Sequence, residues 1–290
     1  MKHQGDETFY FESVNGQATI RRWGDRAKFV EVHLDFWLTN EAENTAFLSL
    51  GTKSVTGDVF YYSVHNQLDE VQQTACLNPN DQIIVSNGPE WSTRGLCTFL
   101  ADNRLEVPGI FAPAPTGELA ARLLEELTGK RYMLAKELLH LELRQQPMNR
   151  FVEGSFRLAG SQDFEQLVSH RTALQAESNT QRPFDSALSI GNDLRSKTLY
   201  CWVDATGKIV ASGSLYHDRT PKSSYINHVY VPIQHRRQGY AFALVHKLCE
   251  LALEQKKIPS LSVDATNQPA YRLYLLMGFT LAARMGNFRR

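Results

Sequence analysis

Val229-Tyr230-Val231-Pro232, followed by Arg236-Arg237-Gln238-Gly239-Tyr240-Ala241, is the stretch on which the reading of this chain turns. It parses as a strand, a short basic loop, and a glycine opening a helix. Beyond it Ala241, Leu244, Val245, Leu248 and Leu251 recur at helical spacing, with Lys247 and Glu250 on the other side. The first N–H groups of a helix have no partner within it, and the helix dipole adds partial positive charge there, so such a turn is a built-in anion site. Gly239 lets backbone approach a bulky phosphate, and Arg236 and Arg237 bring formal charge. The stretch asks for a phosphorylated ligand.

Taken alone, R-x-x-G-x-A is equally an ordinary surface turn. The P-loop signature G-x-x-x-x-G-K-[ST] occurs nowhere in the chain, and the dinucleotide G-x-G-x-x-G is absent from this stretch. The sequence after the helix lifts the anion-site reading. Leu261-Ser262-Val263-Asp264 reads as a strand, Ala265 to Pro269 as a turn, Ala270 to Met277 as a short helix, and Gly278-Phe279 as its stop before another strand. The order strand, R-x-x-G-x-A, helix, strand, N-x-x-A-x-x-x-Y, Gly-Phe resembles the acetyl-CoA-binding half of the GNAT superfamily of N-acyltransferases.

That resemblance implies roles for individual residues. Backbone groups of Val229, Tyr230 and Val231 would pair with the pantetheine amides as an added strand does. The N–H groups of Gln238, Gly239, Tyr240 and Ala241 would hold the pyrophosphate, with Arg236 and Arg237 beside it, and Ala241 stands where the family often has glycine. Asn267 would hydrogen-bond the pantetheine arm, and Tyr271 would pack against the cofactor. Tyr274 matches the tyrosine that in many members protonates the departing thiolate; read as a residue alone, it is a core aromatic on an amphipathic helix. The implied chemistry is direct attack of an amine on the thioester, with no metal. By strand alternation Tyr225 and Asn227 face the cleft and His228 the opposite side, so no general base is evident; His217 is an equally bland candidate.

Length and composition bound the reading. A chain of 290 residues suits two domains, 1–148 and 149–290, divided at the polar break Gln146 to Arg150. Lys+Arg and Asp+Glu both number 31, and this balance argues against nucleic-acid binding. No apolar run approaches membrane-spanning length, and Met1-Lys2-His3-Gln4-Gly5-Asp6 does not start like a signal peptide. Cys76, Cys97, Cys201 and Cys249 are scattered without C-x-x-C, which suggests reduced thiols in a cytoplasm. Arg289-Arg290 and Lys256-Lys257 are expected to be solvated charges. Trp23, Trp37, Trp91 and Trp202 read as core or interface anchors, and Phe36-Trp37-Leu38 as core packing rather than a pocket wall.

The expected fold is α/β with a mixed sheet: a C-terminal GNAT acyl-CoA N-acyltransferase fold preceded by a degenerate GNAT-like lobe. In the second half, strands are expected at Gly154–Ala159, Leu199–Val203, Ile209–Tyr216, Tyr225–Val231 and Leu261–Asp264, with Leu199–Tyr216 a hairpin around Asp204-Ala205-Thr206-Gly207. Helices are expected over 161–174 and 184–194. In the first half Asn40 caps a helix over 41–50, strands fall at 59–64, 71–77 and 82–85, and helices at 91–101 and 116–127, while 131–143 reads as strand or helix. Val107-Pro108-Gly109-Ile110-Phe111-Ala112-Pro113 before a helix resembles a bacterial group of two-lobed GNAT proteins. Ser92-Thr93-Arg94-Gly95 lacks the R-x-x-G-x-G/A spacing, so the first lobe is expected not to bind CoA. Together these features point to an acetyl-CoA-dependent N-acetyltransferase acting on a small amine, amino acid or peptide amine. The alternative is a non-catalytic acyl-CoA-binding regulatory module; a homodimer is left open.

Overall fold

A computed structural model of the protein describes residues 6–13, 16–51, 58–148, 150–178 and 184–290. In chain order the first elements are β1 (Glu7–Ser13), β2 (Gly16–Trp23), α1 (Arg26–Leu38), α2 (Glu41–Leu48), β3 (Phe60–His65), β4 (Val71–Asn78), β5 (Gln82–Val85), α3 (Glu90–Asp102), β6 (Gly109–Pro113), α4 (Ala114–Thr128) and β7 (Met133–Glu142). There follow β8 (Ser155–Leu158), α5 (Phe164–Glu177), α6 (Ser186–Arg195), β9 (Leu199–Val203), β10 (Ile209–Tyr216), β11 (Ser223–Tyr230), α7 (Tyr240–Glu254), β12 (Ile258–Asp264), α8 (Gln268–Leu276) and β13 (Thr280–Arg289). The mixed α/β class is as expected, and the 131–143 segment that left strand and helix open is a strand. Two compact units result. One gathers Met1–His140, Val263–Asn267 and Leu281–Arg290; the other gathers Leu141–Ser262 and Gln268–Thr280.

The first unit is a sheet in the order β1-β2-β3-β4-β5-β6-β13, covered on both faces. Alternation along β3 and β4 decides which residues meet which helices. Tyr62 and Leu77 join Leu96 and Leu100 of α3 and Leu123 and Leu124 of α4 in one cluster. Their neighbours Tyr61 and Cys76 join Phe29 and Trp37 of α1 and Phe47 of α2 in another. Asp25 caps α1, its carboxylate accepting from the Lys28 N–H at 3.0 Å, and Phe29, His33 and Trp37, four apart, form the helix's buried stripe. The β1–β2 hairpin and α1 have no counterpart in the sequence expectations.

β13 closes this sheet. Met285 to Arg289 pair antiparallel with Pro113 to Gly109 of β6. Phe288 sits so close to α4 that a Cβ on Gly117 would lie 2.5 Å from its ring. Arg290 is exposed, as expected of a solvated charge, whereas Arg289 is half-buried, and both have partners. Arg289 donates to the Asp81 carbonyl at 2.7 Å and to Gln82 Oε1 at 2.8 Å, and Arg290 to Glu106 at 2.7 Å and to the Val107 carbonyl at 3.0 Å. Acceptors supplied by turns far back in the sequence turn them into clamps.

The second unit contains the strand order β12-β11-β10-β9-β8, with β11 and β12 parallel and the rest antiparallel. Asp204 builds the β9–β10 hairpin: its carboxylate accepts from Thr206 and Lys208 N–H, its carbonyl from Gly207, and Gly207 takes a φ of 83°. On β10, Gly213 faces α7, where an added Cβ would meet Leu244 at 3.3 Å and Leu248 at 3.5 Å. Its neighbours Ser212 and Ser214 point the other way, to His170 and Arg171 of α5. α7 buries Leu244, Val245 and Leu248 completely; each such side chain contributes about 2 kcal/mol by transfer from water. Lys257, also expected in solvent, donates to the His217 carbonyl and to the Thr220 carbonyl at 3.2 Å.

Candidate acyl-CoA site

β11 and β12 pair in parallel from Ser223↔Ile258 to Ile226↔Leu261, and the register ends there although β11 runs on to Tyr230. Against β10 the pairing jumps from Ser214↔Asn227 to Ser212↔Tyr230, so β11 carries one extra residue, a β-bulge. His228 lies in it with φ 55°, and its N–H donates to the Asn227 side-chain oxygen at 2.9 Å. The bulge breaks the alternation on which His228 was expected to turn to the opposite face from Tyr225 and Asn227. Its ring lies 5.8 Å from that of Phe184, and its Nδ1 is buried without a hydrogen-bond partner among the described residues. Burial first, then the Arg171 charge, depresses His228 to about 3.

After β11 the chain makes a 3-10 turn at Ile233–His235 and reaches Gly239, which caps α7 in the left-handed region at φ 90° with no side-chain cap. Arg237 is left-handed too, at φ 61°. A cavity of about 550 Å³ opens at this helix start. Val231, Arg236, Arg237, Gly239, Tyr240 and Ala241 line it, all of them candidates from the sequence. Met148, Arg150 and Phe242 add to the lining, and α8 contributes Pro269, Leu273 and Leu276. Arg150 and Arg237 make no ion pair among the described residues. Arg236 does: it donates to Glu177 at 2.5 Å and through Nε to the Val231 carbonyl at 2.9 Å. Glu177 also accepts from the Tyr230 hydroxyl at 3.1 Å.

The other candidates fall as follows. Val229 and Tyr230 are on β11, outside this lining; Tyr230 is buried, and burial with the Glu177 hydrogen bond raises its phenol. Exposed Gln238 donates to the Gln234 carbonyl at 3.4 Å. Exposed Asn267 closes the turn after β12, its N–H donating to the Asp264 carbonyl at 2.8 Å. Tyr271 is half-buried on α8. Tyr274 is buried, edge-on to Phe279 at 5.8 Å, and on a different stripe of α8 from the cavity-lining Leu273 and Leu276. Burial, with the Tyr225 phenol and Cys249 thiol nearby, pushes its phenol far above its ordinary value.

A polar cluster that the sequence reading missed lies on the α5 side of β10 and β11. Arg171, 3% exposed, pairs with Asp193 at 2.9 Å and donates to Ser189 at 2.7 Å. Asp193 also accepts from Ser214 at 2.9 Å and Tyr216 at 2.8 Å. Burial and the Asp193 charge push the Tyr216 phenol up to about 12. The signal for this cluster was available: His170, Arg171 and Gln175 recur at helical spacing on α5 around Leu167, which marks a helix burying a polar face.

Residues 164–279 match the model of the acetyltransferase (GNAT) family. No curated protein matches the chain. Among solved structures, a GNAT-family acetyltransferase from Colwellia psychrerythraea is similar over 98% of this chain and 99% of its own, at 17% identity and TM-score 0.60. A GCN5-related N-acetyltransferase from Sphaerobacter thermophilus covers 79% of this chain and 80% of its own, at 20% identity and TM-score 0.58. A tandem GNAT protein from the clavulanic acid biosynthesis pathway covers 99% and 98%, at 12% identity and TM-score 0.58. Residues 164–279 are therefore similar to the GNAT acetyltransferase family, and the solved structures show that the chain shares their fold. Among the described residues no helix is long and apolar enough to cross a membrane.

Proposed function

We propose that the protein is an acetyl-CoA-dependent N-acetyltransferase whose second unit carries the reaction. The observation that supports this most is the cavity at the N-terminus of α7, where uncapped helix N–H groups meet Arg150 and Arg237, two cations without acidic partners among the described residues. Such a site fits a pyrophosphate in charge and in the close backbone approach that Gly239 permits. Leu273, Leu276, Phe242 and Met148 offer the apolar wall that the rest of a CoA molecule needs.

In this reading the free edge of β11 beyond Ile226 receives the pantetheine amides, and the acceptor amine attacks the thioester carbonyl near the bulge. Tyr274 is assigned the proton for the departing thiolate on its place in the N-x-x-A-x-x-x-Y motif. His228 is too weak a base to take a proton at neutral pH, so the amine arrives neutral or loses its proton to water. The four cysteines, all free and buried, are consistent with a cytoplasmic setting.

Calorimetric titration with acetyl-CoA and with free CoA tests the first step, and thiol release across a panel of amines tests the second. Binding of both, with turnover that falls by about tenfold to a hundredfold in Tyr274→Phe while CoA affinity holds, is the expected result. Binding without turnover on any amine would instead make the protein a non-catalytic acyl-CoA-binding module. No binding of either would remove the proposal altogether.

A further inference from the structure

Arg219 follows β10 in the chain and lies face-on to Tyr216, its guanidinium carbon 3.8 Å from the ring centre and 5.2 Å from that of Tyr225 on β11. Of the other arginines of this unit, Arg157 pairs with Asp163, Arg171 with Asp193 and Arg236 with Glu177, while Arg150 and Arg237, at the cavity before α7, have no ion pair among the described residues. Arg219 has no such partner among the described residues, and its exposed neighbour Asp218 makes no ion pair with it. Stacking on aromatic faces fixes the plane of a guanidinium while leaving its in-plane N–H fork free, which is the geometry that takes a carboxylate through two parallel hydrogen bonds.

Both rings that hold Arg219 are themselves held or shared. The Tyr216 hydroxyl donates to Asp193, which Arg171 neutralises, so Tyr216 cannot swing away without breaking the buried cluster. Tyr225 lies on β11, two residues before Asn227 and three before the bulge at His228, and its phenol is near enough to that of Tyr274 to act on it electrostatically. Tyr225 is thus shared between the Arg219 stack and the electrostatic surroundings of Tyr274.

Resting on the acyltransferase reading above, we infer that the acceptor is an amine that also bears a carboxylate, of the amino-acid class, and that Arg219 is the residue that binds this carboxylate. A simple alkylamine or polyamine has nothing to offer an unpaired guanidinium and would be repelled by it. An amino acid brings the missing negative charge and points its amine back along the Tyr225 ring.

The test uses the whole chain. Acetyl-CoA affinity is measured for the native protein and for Arg219→Gln and Arg219→Lys. Thiol release is then followed with the twenty amino acids and with their carboxamide counterparts, and calorimetry of the CoA-saturated protein with the same compounds reads binding without turnover. The expected result is a preference of tenfold or more for free carboxylates, lost in Arg219→Gln and only partly restored in Arg219→Lys, with acetyl-CoA affinity unchanged in all three. Carboxamides or plain amines bound or used as well as carboxylates, no amino acid bound at all, or a preference surviving in Arg219→Gln would each overturn the inference while leaving acetyl-CoA binding intact. Loss of the underlying reading looks different, because acetyl-CoA itself then fails to bind the native protein.

Discussion

Arg236 and Glu177, 59 positions apart in sequence, meet in an ion pair of 2.5 Å that ties the end of α5 to the loop before α7. Both side chains are more than a third exposed, so the pair adds little to stability. Its effect is on position: with the Tyr230 hydroxyl on the same carboxylate, it draws the Arg236 guanidinium toward Glu177 and partly neutralises it. Glu177→Gln should therefore leave thermal stability within about 0.5 kcal/mol and tighten acetyl-CoA binding a few-fold at low salt. Calorimetry at two salt concentrations checks this, since an effect of released charge shrinks as salt rises.

Gly239 is the position where the candidate site is least tolerant of a side chain. Its φ of 90° strains any L-residue, and an added Cβ would sit 3.0 Å from Val152 Cγ2. Gly239→Ala should cost about 1–2 kcal/mol from the left-handed conformation and weaken acetyl-CoA binding by tenfold or more. The paired measurements are a thermal melt and a titration; full affinity in the variant would show that the loop does not hold the pyrophosphate.

The Arg171–Asp193 pair is a different kind of contact, with side chains only 3% and 8% exposed. Removing one charge leaves the other buried without compensation, at a cost of about 3–5 kcal/mol. Asp193→Asn should show this as a large fall in melting temperature. Arg171→Met combined with Asp193→Leu should recover part of it, and a double-mutant cycle in denaturant gives the coupling directly.

Buried histidines make stability pH-dependent in the acid range. Burial holds His33, His140 and His170 at about 4, below the ordinary value of 6.5. Between those limits the unfolded chain binds more protons than the folded one, so stability falls as pH drops from 6.5 toward about 4 and returns as pH rises. Each histidine contributes a slope approaching about 1.4 kcal/mol per pH unit within the window. His33→Phe keeps a ring among Trp23, Phe29 and Trp37 and removes one titration, so denaturant midpoints between pH 7 and 4.5 should decline less steeply in that variant.

The second unit was legible wherever local chemistry alone decides structure. β9 and β10 begin and end where their apolar runs and the Asp204-to-Gly207 turn say they should, because a hairpin needs only its own residues. The cavity-lining Arg236, Arg237, Gly239, Tyr240 and Ala241 were legible for the same reason: a glycine-opened helix start announces itself over a few residues. What escaped needed partners from elsewhere. The bulge at His228 exists only against β10, so simple alternation does not carry past Asn227. Arg219 offers no local pattern, since Tyr216 and Tyr225 approach it from two strands. In the first unit, Asp25 and the Phe29-His33-Trp37 stripe are local signals of α1.

The pairing of β13 with β6 has a consequence for how the protein is made. A ribosome delivers β6 roughly 170 residues before its partner, which at about 5–20 residues per second leaves that edge open for some ten seconds or more. An unpaired apolar strand edge is a template for association with other chains. Ile110 and Ala112 on β6 are fully buried in the finished unit, so the nascent first half should need shielding until residues 281–290 emerge. A half-length product released early would be a candidate for aggregation rather than a smaller working protein.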